Sequence, residues 1–531
     1  MAVYLLICAI VILACVLLYK ISGKLGIPML LAFILLGMFF GSDGFVRIPF
    51  DNYGFAEQVC SVALIFIMFY GGFGTSFRSA RPVAAQSILL SSLGVILTAA
   101  LVGVFCHAAL KIDWLESFLI ASVIGSTDAA SVFSILRSRR LSLKYNTASL
   151  LELESGSNDP FSYMLTAIFI SLMQGREIAG GIGYMVFAQL VYGGAAGVAI
   201  AFGSGWILKK IRFKSAGFDA VFVVAIAILS YALPAVFGGN GYLSAYIVGI
   251  ILGNTDIPNK KTLVPFFDGV TGLMQILIFF LLGLLSFPSR LGQTALPALL
   301  IALFLTFVAR PAAVFAILSP FKAPLGQKLL VSWAGLRGAA SIVFAIMATM
   351  AVSTENDIFN IVLGVVLFSI LLQGSLLPLI SKKLGMIDDS DSVMKTFSDY
   401  SDEAPVEFIR FSIPQGHPWA GGALKDLVLP PETLIVMLIR NGEKLIPGGD
   451  TVIEAGDTVI MSARSPEKSD GVDLTEKHIS RGDEYVGMSL AKIPREPGSL
   501  VILIMRGGRV IIPDGRTVLQ EGDVLVINHA E

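Results

Sequence analysis

Leu150-Leu-Glu-Leu-Glu-Ser-Gly-Ser-Asn-Asp-Pro160 opens an apolar segment that runs on to residue 173. Helical spacing sorts its polar side chains into two adjacent rows, Glu152, Ser155 and Asp159 in one and Glu154 and Asn158 in the other. An ionisable residue inside an apolar helix is costly, so it is a functional candidate by default. A carboxylate beside neutral oxygen donors suits a hard alkali cation, and the same group can take up a proton instead. The segment therefore predicts a buried cation or proton site at Asp159.

Apolar segments of similar length recur on both sides of this stretch. The chain has 531 residues, of which 55% are hydrophobic and only 15% charged, against about 25% charged in soluble domains. Thirteen segments meet or approach the roughly 20 apolar residues that a helix needs to cross a bilayer. They cover residues 2–19, 27–41, 55–72, 83–109, 117–136, 148–173, 182–208, 217–237, 242–253, 262–286, 295–319, 328–352 and 358–381. We expect a mainly α-helical polytopic membrane domain with about 13 transmembrane helices over residues 1–383.

The basic residues of the connecting loops predict the orientation of the chain. If the N-terminus lies outside, the cytoplasmic loops carry 18 Lys and Arg residues and the opposite loops only 4. This asymmetry obeys the positive-inside rule loop by loop. An odd number of spans then puts the C-terminal domain in the cytoplasm. The expected location is a bacterial-type inner (cell) membrane, with membrane lipid around the spans.

The fifth apolar segment also contains polar residues at its centre. It reads Ala121-Ser-Val-Ile-Gly-Ser-Thr-Asp-Ala-Ala130, with Thr127 and Asp128 directly behind Gly125 and Ser126. Glycine next to hydroxyl residues weakens a helix, and unwound backbone at membrane depth is tolerated where it lines a cavity. Broken helices of this kind place carbonyl groups and half-helix ends around an ion.

The twelfth segment reads Ser332-Trp-Ala-Gly-Leu-Arg-Gly-Ala-Ala-Ser341, with Arg337 between two glycines. A guanidinium group stays charged, so it needs a permanent anion or a carbonyl partner, and Glu154 and Asp128 are the candidate acids. Arg310 is a second basic residue inside a span and has no acid in its own segment. A structural ion pair that fixes the helix bundle is the favoured interpretation of both arginines, ahead of contact with a substrate.

Three motifs together resemble the NhaP-type cation/proton antiporters of the sodium/proton exchanger superfamily. They are Glu154-Ser-Gly-Ser-Asn-Asp-Pro160, Gly125-Ser-Thr-Asp128 and Gly335-Leu-Arg-Gly338, and the resemblance covers roughly residues 1–383. It implies thirteen spans in two inverted repeats, with crossed, partly unwound helices at the fifth and twelfth segments. It also implies a mobile core domain and a dimerisation domain, so a homodimer is expected.

The resemblance further implies which residues bind the ion. Asp159 and Asn158 would be the ion-binding pair, helped by Ser155 and the backbone of Thr127, with K+ or Na+ bound at Asp159. An Asn-Asp pair in this position, rather than Asp-Asp, is associated with electroneutral exchange of one cation per proton.

Two more features follow from the same resemblance. Glu154 and Arg337 would form a structural ion pair, and Asp128 and Arg310 are secondary site candidates. Many relatives carry an acid before the Gly-Gly of the third span, where this chain has Tyr70-Gly71-Gly72. A possible accessory cation ligand is therefore absent at this position, and the ion preference does not transfer directly.

The polar C-terminal part contains an internal duplication. Residues 384–404 are acidic and rich in serine and are predicted to be a linker, and two modules follow at 405–465 and 470–531. The modules align without gaps at an offset of 66, so that Leu434-Ile-Val-Met-Leu-Ile-Arg440 matches Leu500-Val-Ile-Leu-Ile-Met-Arg506. Each has a β-branched strand, a hairpin signal and a further short strand after Gly-Asp.

The tail is expected to be a small α+β domain of two tandem repeats, with short helices at 421–428 and 487–493. Each repeat resembles the TrkA-C or RCK-C module of potassium-conductance regulators. Such modules associate in pairs, and in some relatives the pair binds a nucleotide such as cyclic di-AMP, so a nucleotide regulator is an expectation here. No strand precedes a Gly-x-Gly-x-x-Gly turn, so NAD is not expected. A tail that serves only dimer stability or trafficking is the alternative.

These observations favour a secondary antiporter in which a cation and a proton compete for Asp159 in an alternating-access cycle, with a role in pH homeostasis. K+ is favoured over Na+ because the regulator module usually accompanies potassium transport; Na+/H+ exchange is the alternative. A ligand-gated cation channel is disfavoured, since neither a filter sequence nor a re-entrant pore loop is visible. An enzyme is disfavoured by the lack of a catalytic constellation. Four cysteines without metal-ligand spacing and a net charge of -1 predict neither a cofactor nor a nucleic-acid partner.

Overall fold

The architecture is that of a computed structural model, and the residues it describes form two compact units, Met1–Ser401 and Asp402–Glu531. The described residues are 2–25, 29–138, 141–175, 180–211, 216–257, 259–388, 406–431, 433–440, 442–464, 473–493, 499–507, 509–511 and 513–529. Most of the predicted linker at 384–404 lies outside them.

The described part of the first unit is built from helices. They are α1 (Ala2–Leu25), α2 (Met29–Phe40), α3 (Tyr53–Gly74), α4 (Phe77–Ala80), α5 (Ala84–Leu89), α6 (Val95–Leu110), α7 (Trp114–Val123), α8 (Ala129–Ser138), α9 (Thr147–Met173), α10 (Gly181–Lys210), α11 (Ala216–Val236), α12 (Gly241–Gly253), α13 (Lys260–Leu285), α14 (Pro288–Phe304), α15 (Arg310–Leu318), α16 (Leu325–Trp333), α17 (Ala339–Ala351), α18 (Ile358–Phe368) and α19 (Ser375–Lys383). The predicted mainly α-helical fold is confirmed for this unit.

Seven helical stretches of the described residues are long and apolar enough to cross a membrane. They are Tyr53–Gly74, Arg81–Leu110, Gly181–Lys210, Gly217–Val236, Thr262–Leu285, Gly292–Leu318 and Ile358–Lys383. The described residues also form shorter apolar helices of 10–17 residues: Leu6–Leu18, Met29–Phe40, Trp114–Val123, Gly241–Gly253 and Ala339–Ala351. The stretch that carries Asp159 is the 27-residue helix α9, whose acids lower its hydropathy.

The fifth and twelfth apolar segments are each interrupted by non-helical backbone. The first break lies between α7, which ends at Val123, and α8, which begins at Ala129. The second lies between α16, which ends at Trp333, and α17, which begins at Ala339. The two breaks touch, because the N–H of Asp128 donates a 2.7 Å hydrogen bond to the carbonyl of Leu336. This places two sets of unpaired helix ends side by side next to α9.

Three π-helical segments, each inside a long helix, lie around these breaks: Leu90–Gly94, Leu305–Ala309 and Ser369–Gly374. A π-helical turn inserts an extra residue and rotates the side chains that follow it, which is why such turns are frequent at functional sites. The second segment ends directly before Arg310, and the third contributes Ser369, whose hydroxyl accepts a 3.1 Å hydrogen bond from the N–H of Arg337.

Glycines allow the close helix contacts that frame α9. A Cβ atom at Gly72 of α3 would overlap the carbonyl of Tyr246 on α12, and one at Gly249 of α12 would overlap the carbonyl of Phe69. Small residues at such crossings let helix backbones approach in a membrane, where packing rather than hydrophobic burial drives association. Neither α3 nor α12 can therefore move far from the other.

The second unit contains two antiparallel sheets of the same design. Their strands are β1 (Val406–Ser412), β2 (Thr433–Arg440), β3 (Glu443–Leu445), β4 (Thr458–Arg464), β5 (Asp473–His478), β6 (Ser499–Arg506), β7 (Arg509–Ile511) and β8 (Val524–His529). The strand orders are β1-β4-β2-β3 and β5-β8-β6-β7. A register shift lies at the same place in both, between Ile435 and Met437 and between Val501 and Leu503. The offset of 66 residues thus repeats an irregularity as well as the strands.

The predicted helices at 421–428 and 487–493 are wrong in kind. Only single 3-10 turns form there, Leu424–Asp426 and Leu490–Lys492, so the described tail is a β domain and not α+β. The physical reason is that the backbone N–H groups of Leu424 and Leu490 donate 3.0 Å hydrogen bonds to the carbonyls of Thr451 and Thr517. Bonds to a distant segment replace those that a local helix would need.

A partly buried ion pair holds each module together. Arg506 donates from Nε and Nη2 to the two carboxylate oxygens of Asp523, at 2.7 and 2.8 Å, and also to the carbonyl of Val518. Arg440 and Asp457 repeat this arrangement in the first module, at 2.9 and 2.8 Å. Asp523 is fully buried, so the fork of the guanidinium supplies the charge that its carboxylate needs.

Asp523→Asn tests the contribution of this pair. The change removes the charge opposite Arg506, and we expect the second module to lose about 1–3 kcal/mol of stability. Hydrogen–deuterium exchange of the full-length protein should become faster in β6 and β8 and stay unchanged in the helical unit. Asp450→Asn is the matched control, because the Lys425–Asp450 pair is 60% and 90% exposed and contributes little.

The pair also predicts how the module responds to acid. Hydrogen bonds from Arg506 lower the pKa of Asp523 below its ordinary value of 3.8. The stabilisation is therefore complete above that value and is lost as the pH falls through the lower pKa of the folded module. Exchange protection of β8 should fall in this acidic range in the native chain and depend less on pH in Asp523→Asn. Equal acid sensitivity of the two proteins would contradict the assignment.

Candidate ion-binding site

Asp159 lies in the middle of α9, opposite the first break, and is only 5% exposed. Its carboxylate accepts a hydrogen bond from the hydroxyl of Ser126, a residue of the break. Burial deprives a carboxylate of water, so a charged Asp159 needs compensation from a bound ion or proton. Ser126 was not among the predicted site residues, although it belongs to the same polar run as Thr127.

The other predicted ligands meet at the same place. The amide nitrogen of Asn158 donates a 2.6 Å hydrogen bond to Oγ1 of Thr127, and the hydroxyl of Ser155 donates a 2.8 Å bond to the carbonyl of Thr127. Asn158 is fully buried, and its side-chain oxygen Oδ1 has no hydrogen-bond partner in the described part of the chain. A buried acceptor without a donor is rare, and a cation would satisfy it.

Arg337 lies in the second break, and its side chain binds the backbone of the first break. Its Nη1 donates to the carbonyls of Gly125 and Ser126 at 2.8 and 2.7 Å, and its side chain is 1% exposed. These carbonyls belong to backbone that has left the helix, so a permanent positive charge satisfies them. Of the two kinds of partner that a buried guanidinium requires, the carbonyl partner is the one that the structure provides here.

Glu154 pairs with Arg310 and not, as predicted, with Arg337. Nη2 of Arg310 lies 2.6 Å from Oε1 of Glu154, and the two side chains are 3% and 1% exposed. The π-helical segment that ends at Ala309 directs the next side chain toward α9, and this is the physical reason why Arg310 reaches the acid. The Glu154–Arg337 pair of the sequence prediction is therefore replaced by Glu154–Arg310.

The two glycines around Arg337 make room for charged side chains. A Cβ atom at Gly335 would lie 2.9 Å from Nε of Arg310, and one at Gly338 would overlap the carboxylate of Asp128. Asp128 itself accepts hydrogen bonds from the N–H and the hydroxyl of Ser131 in the first turn of α8. The secondary candidate Asp128 thus serves the start of α8, where a negative charge is favoured by the helix dipole.

An acid from another helix lies beside Tyr70. The hydroxyl of Tyr70 donates a 3.3 Å hydrogen bond to the carboxylate of Asp268, which is exposed and belongs to α13. The sequence prediction missed Asp268 because it considered only the third span. Its signal was an aspartate inside the apolar segment 262–286.

A double-mutant comparison tests the corrected ion pair. Glu154→Leu alone leaves the guanidinium of Arg310 buried without its anion, which should cost about 3–5 kcal/mol and lower the yield of folded protein. Glu154→Leu combined with Arg310→Met removes both charges and should restore most of the lost thermal stability, measured in detergent by size-exclusion chromatography after heating.

Glu154→Leu with Arg337→Met is the matched control. It removes the same number of charges, yet it leaves Arg310 unpaired, so no recovery is expected. Recovery with Arg337→Met, and none with Arg310→Met, would reinstate the pair that the sequence predicted.

Comparison with known proteins agrees with this geometry. The family model described as sodium/hydrogen exchanger, transmembrane, matches residues 10–383, and the TrkA-C domain model matches residues 408–467 and 476–527. The first match confirms a multi-pass membrane protein, and the second confirms the predicted TrkA-C duplication.

Curated relatives and solved structures match over most of the chain. The K(+)/H(+) antiporter NhaP of Alkalimonas amylolytica is 35% identical over 436 residues, which are 80% of this chain and 75% of that protein. The K(+)/H(+) antiporter NhaP2 of Shewanella sp. (strain ANA-3) is 34% identical over 96% of this chain and 78% of that protein. The structure of the sodium proton antiporter MjNhaP1 from Methanocaldococcus jannaschii at pH 8 has the same fold, with a TM-score of 0.63 at 24% identity over 72% of this chain and 99% of that chain. On the strength of the family match, these relatives and the polar breaks beside α9, the chain belongs to the sodium/hydrogen exchanger family.

Proposed function

We propose that this protein is a secondary antiporter that exchanges K+ for H+ one for one, with Asp159 as the group that binds either ion. The observation that carries the proposal is the oxygen-rich site at the first break. It combines the buried carboxylate of Asp159 with the unsatisfied Oδ1 of Asn158 and the oxygens of Thr127. Relatives at 34–35% identity bear the name K(+)/H(+) antiporter, which supports K+ over Na+.

Competition at one carboxylate is enough to couple the two ions. A cation and a proton both neutralise Asp159, so they cannot travel together on it. Moving a bare carboxylate through a low-dielectric interior is opposed by desolvation, and only the loaded carrier reorients. Under this scheme no separate proton site is needed.

The charges around the site support electroneutral exchange. Three carboxylates and two guanidinium groups lie around the two breaks: those of Glu154, Asp128 and Asp159, and those of Arg310 and Arg337. One negative charge is then uncompensated when all five groups are ionised. One K+ or one proton at Asp159 brings the cluster to the same net charge, so both loaded states cross with no difference in charge.

We also propose the finer architecture that the sequence predicted, thirteen spans in two inverted repeats. The two helix breaks support it, since each follows a helix that contains a five-residue π-helical segment, Leu90–Gly94 before the first break and Leu305–Ala309 before the second. A homodimer, an outside N-terminus and a cytoplasmic tail complete the proposal. Nucleotide regulation through the paired TrkA-C modules remains a prediction.

Reconstituted protein tests the function directly. In proteoliposomes loaded with a pH-sensitive dye and preset to an acidic lumen, K+ outside should alkalinise the lumen at a lower concentration than Na+ or Li+ does. A lower half-saturating concentration for Na+ would make the protein a Na+/H+ antiporter. Currents far above carrier turnover would favour a channel.

Asp159→Asn should abolish this exchange while the protein remains folded and elutes at the native position. An amide keeps the size of the side chain and cannot bind a proton or balance a cation. Asp256→Asn, at an exposed acid after α12, is the matched control and should exchange like the native protein. Native pH-dependent cation flux in Asp159→Asn would exclude Asp159 as the shared site.

One-for-one exchange predicts that the rate does not depend on the membrane potential. A thiocyanate gradient can impose an inside-negative potential on the same proteoliposomes without carrying K+ or H+. The initial rate should change by less than about 20%, whereas transport of a net charge would change it severalfold, since 100 mV acting on one charge is worth about 2.3 kcal/mol. A potential-dependent rate would refute the stoichiometry and leave the site assignment standing.

A further inference from the structure

Glu57 is a second acid inside a span that the proposed mechanism does not use. It lies in the second turn of α3 and is the only charged residue between Tyr53 and Gly74, one of the stretches long enough to cross a membrane. A carboxylate in such a place is expensive and is retained for a function by default. It is half-buried.

A series of hydroxyl groups leads away from this acid. Ser61, one turn along α3, donates a 3.1 Å hydrogen bond to Oε1 of Glu57. Tyr242 interacts through its hydroxyl with Ser61 and with Tyr231. Within the described part of the chain no Lys, Arg or His side chain forms an ion pair with Glu57. The carboxylate is therefore left with neutral partners, in contrast to Glu154.

Three tyrosine rings form a cluster next to Ser61. The centroid of the Tyr242 ring lies 5.1 Å from that of Tyr163 and 4.8 Å from that of Tyr231. The ring of Phe344 packs against Tyr242 at 6.1 Å and against Tyr163 at 5.8 Å. Gly241 makes room for the ring of Tyr231, since a Cβ atom there would lie 2.5 Å from its Cδ2. The rings come from α9, α11 and α12, so the ring cluster joins three helices to α3.

The ring cluster lies on one side of the main site. Tyr163 follows Asp159 by four residues on α9, which is one helical turn or about 6 Å along the axis. That direction leads away from the loops rich in Lys and Arg, because α9 starts beside one of those loops, at Thr147. Ser61 connects the acid to the rings, since it binds Glu57 and lies within hydrogen-bonding reach of Tyr242.

We propose that Glu57, Ser61 and the rings of Tyr163, Tyr231 and Tyr242 form a second, weak site for an alkali cation, through which K+ passes between Asp159 and the membrane face opposite the basic loops. The inference rests on the proposed exchange of K+ for H+ and adds a side-specific step to it. The carboxylate attracts the cation, the hydroxyls replace part of its water, and the ring faces favour a large, weakly hydrated ion.

Sided transport tests the site. In right-side-out and inside-out membrane vesicles, Glu57→Gln should raise the half-saturating K+ concentration about tenfold on the face opposite the basic loops, and less than twofold on the other face. Asp51→Asn is the matched control, because it removes an exposed acid six residues earlier on the same side. It should leave both values as in the native protein. Equal changes on both faces after Glu57→Gln would indicate a structural role and overturn the proposal.

Direct binding separates this site from the main one. Purified Asp159→Asn protein should retain weak equilibrium binding of radioactive Rb+, and adding Glu57→Gln should abolish it, whereas adding Asp51→Asn should not. If the native protein shows no K+/H+ exchange, the proposed function fails and the Rb+ measurement still decides whether the second site exists. If Asp159→Asn protein binds no Rb+, the second site is refuted. The same follows if its residual Rb+ binding does not change when Glu57→Gln is added.

Discussion

The balance of buried charge is the constraint on which the rest of the membrane unit depends. In a low-dielectric interior a lone ion is costly, and the structure therefore gives each permanent charge a partner that does not leave. Arg337 is bound to the carbonyls of Gly125 and Ser126, and Arg310 is bound to Glu154. Asp159 differs from these groups, because its partner in the structure is a neutral hydroxyl. Within this cluster the charge that remains to be balanced is thus that of Asp159.

The helix breaks supply the backbone groups of this arrangement, and contacts from other helices stabilise them. Backbone that leaves a helix exposes carbonyls and N–H groups, and each needs a partner. The hydrogen bond from Asp128 to Leu336 joins the two breaks, and Ser369 supports the second break from a π-helical segment. Gly338 allows the Asp128 carboxylate to approach. Because these contacts come from several helices, the site depends on the packing of the whole bundle as much as on its own motif.

Sequence reasoning located the first break because its signal is local. Glycine and hydroxyl residues next to Asp128 predict unwinding without any knowledge of the neighbours. The break beside Arg337 and the set of ion ligands were expected from the family resemblance instead. The partner of Glu154 is not a local property. It depends on a π-helical turn before Arg310, and neither the spacing nor the composition of that segment reveals one. In the tail the strands and their offset were predictable from periodicity, whereas the predicted helix near Leu424 gave way to bonds with a segment about 27 residues away.

The ring of Tyr246 restricts how α9 can move against α12. A Cβ atom at Gly156 would lie 2.7 Å from Cζ of Tyr246, so the ring sits where any side chain at 156 would be. Asp159 is the next turn of the same helix. If α9 slid along its axis by a single residue, larger side chains would meet the ring in place of glycine. Sliding of α9 against α12 therefore requires the ring of Tyr246 to turn aside, whereas movement of α9 together with α12 and its close partner α3 does not.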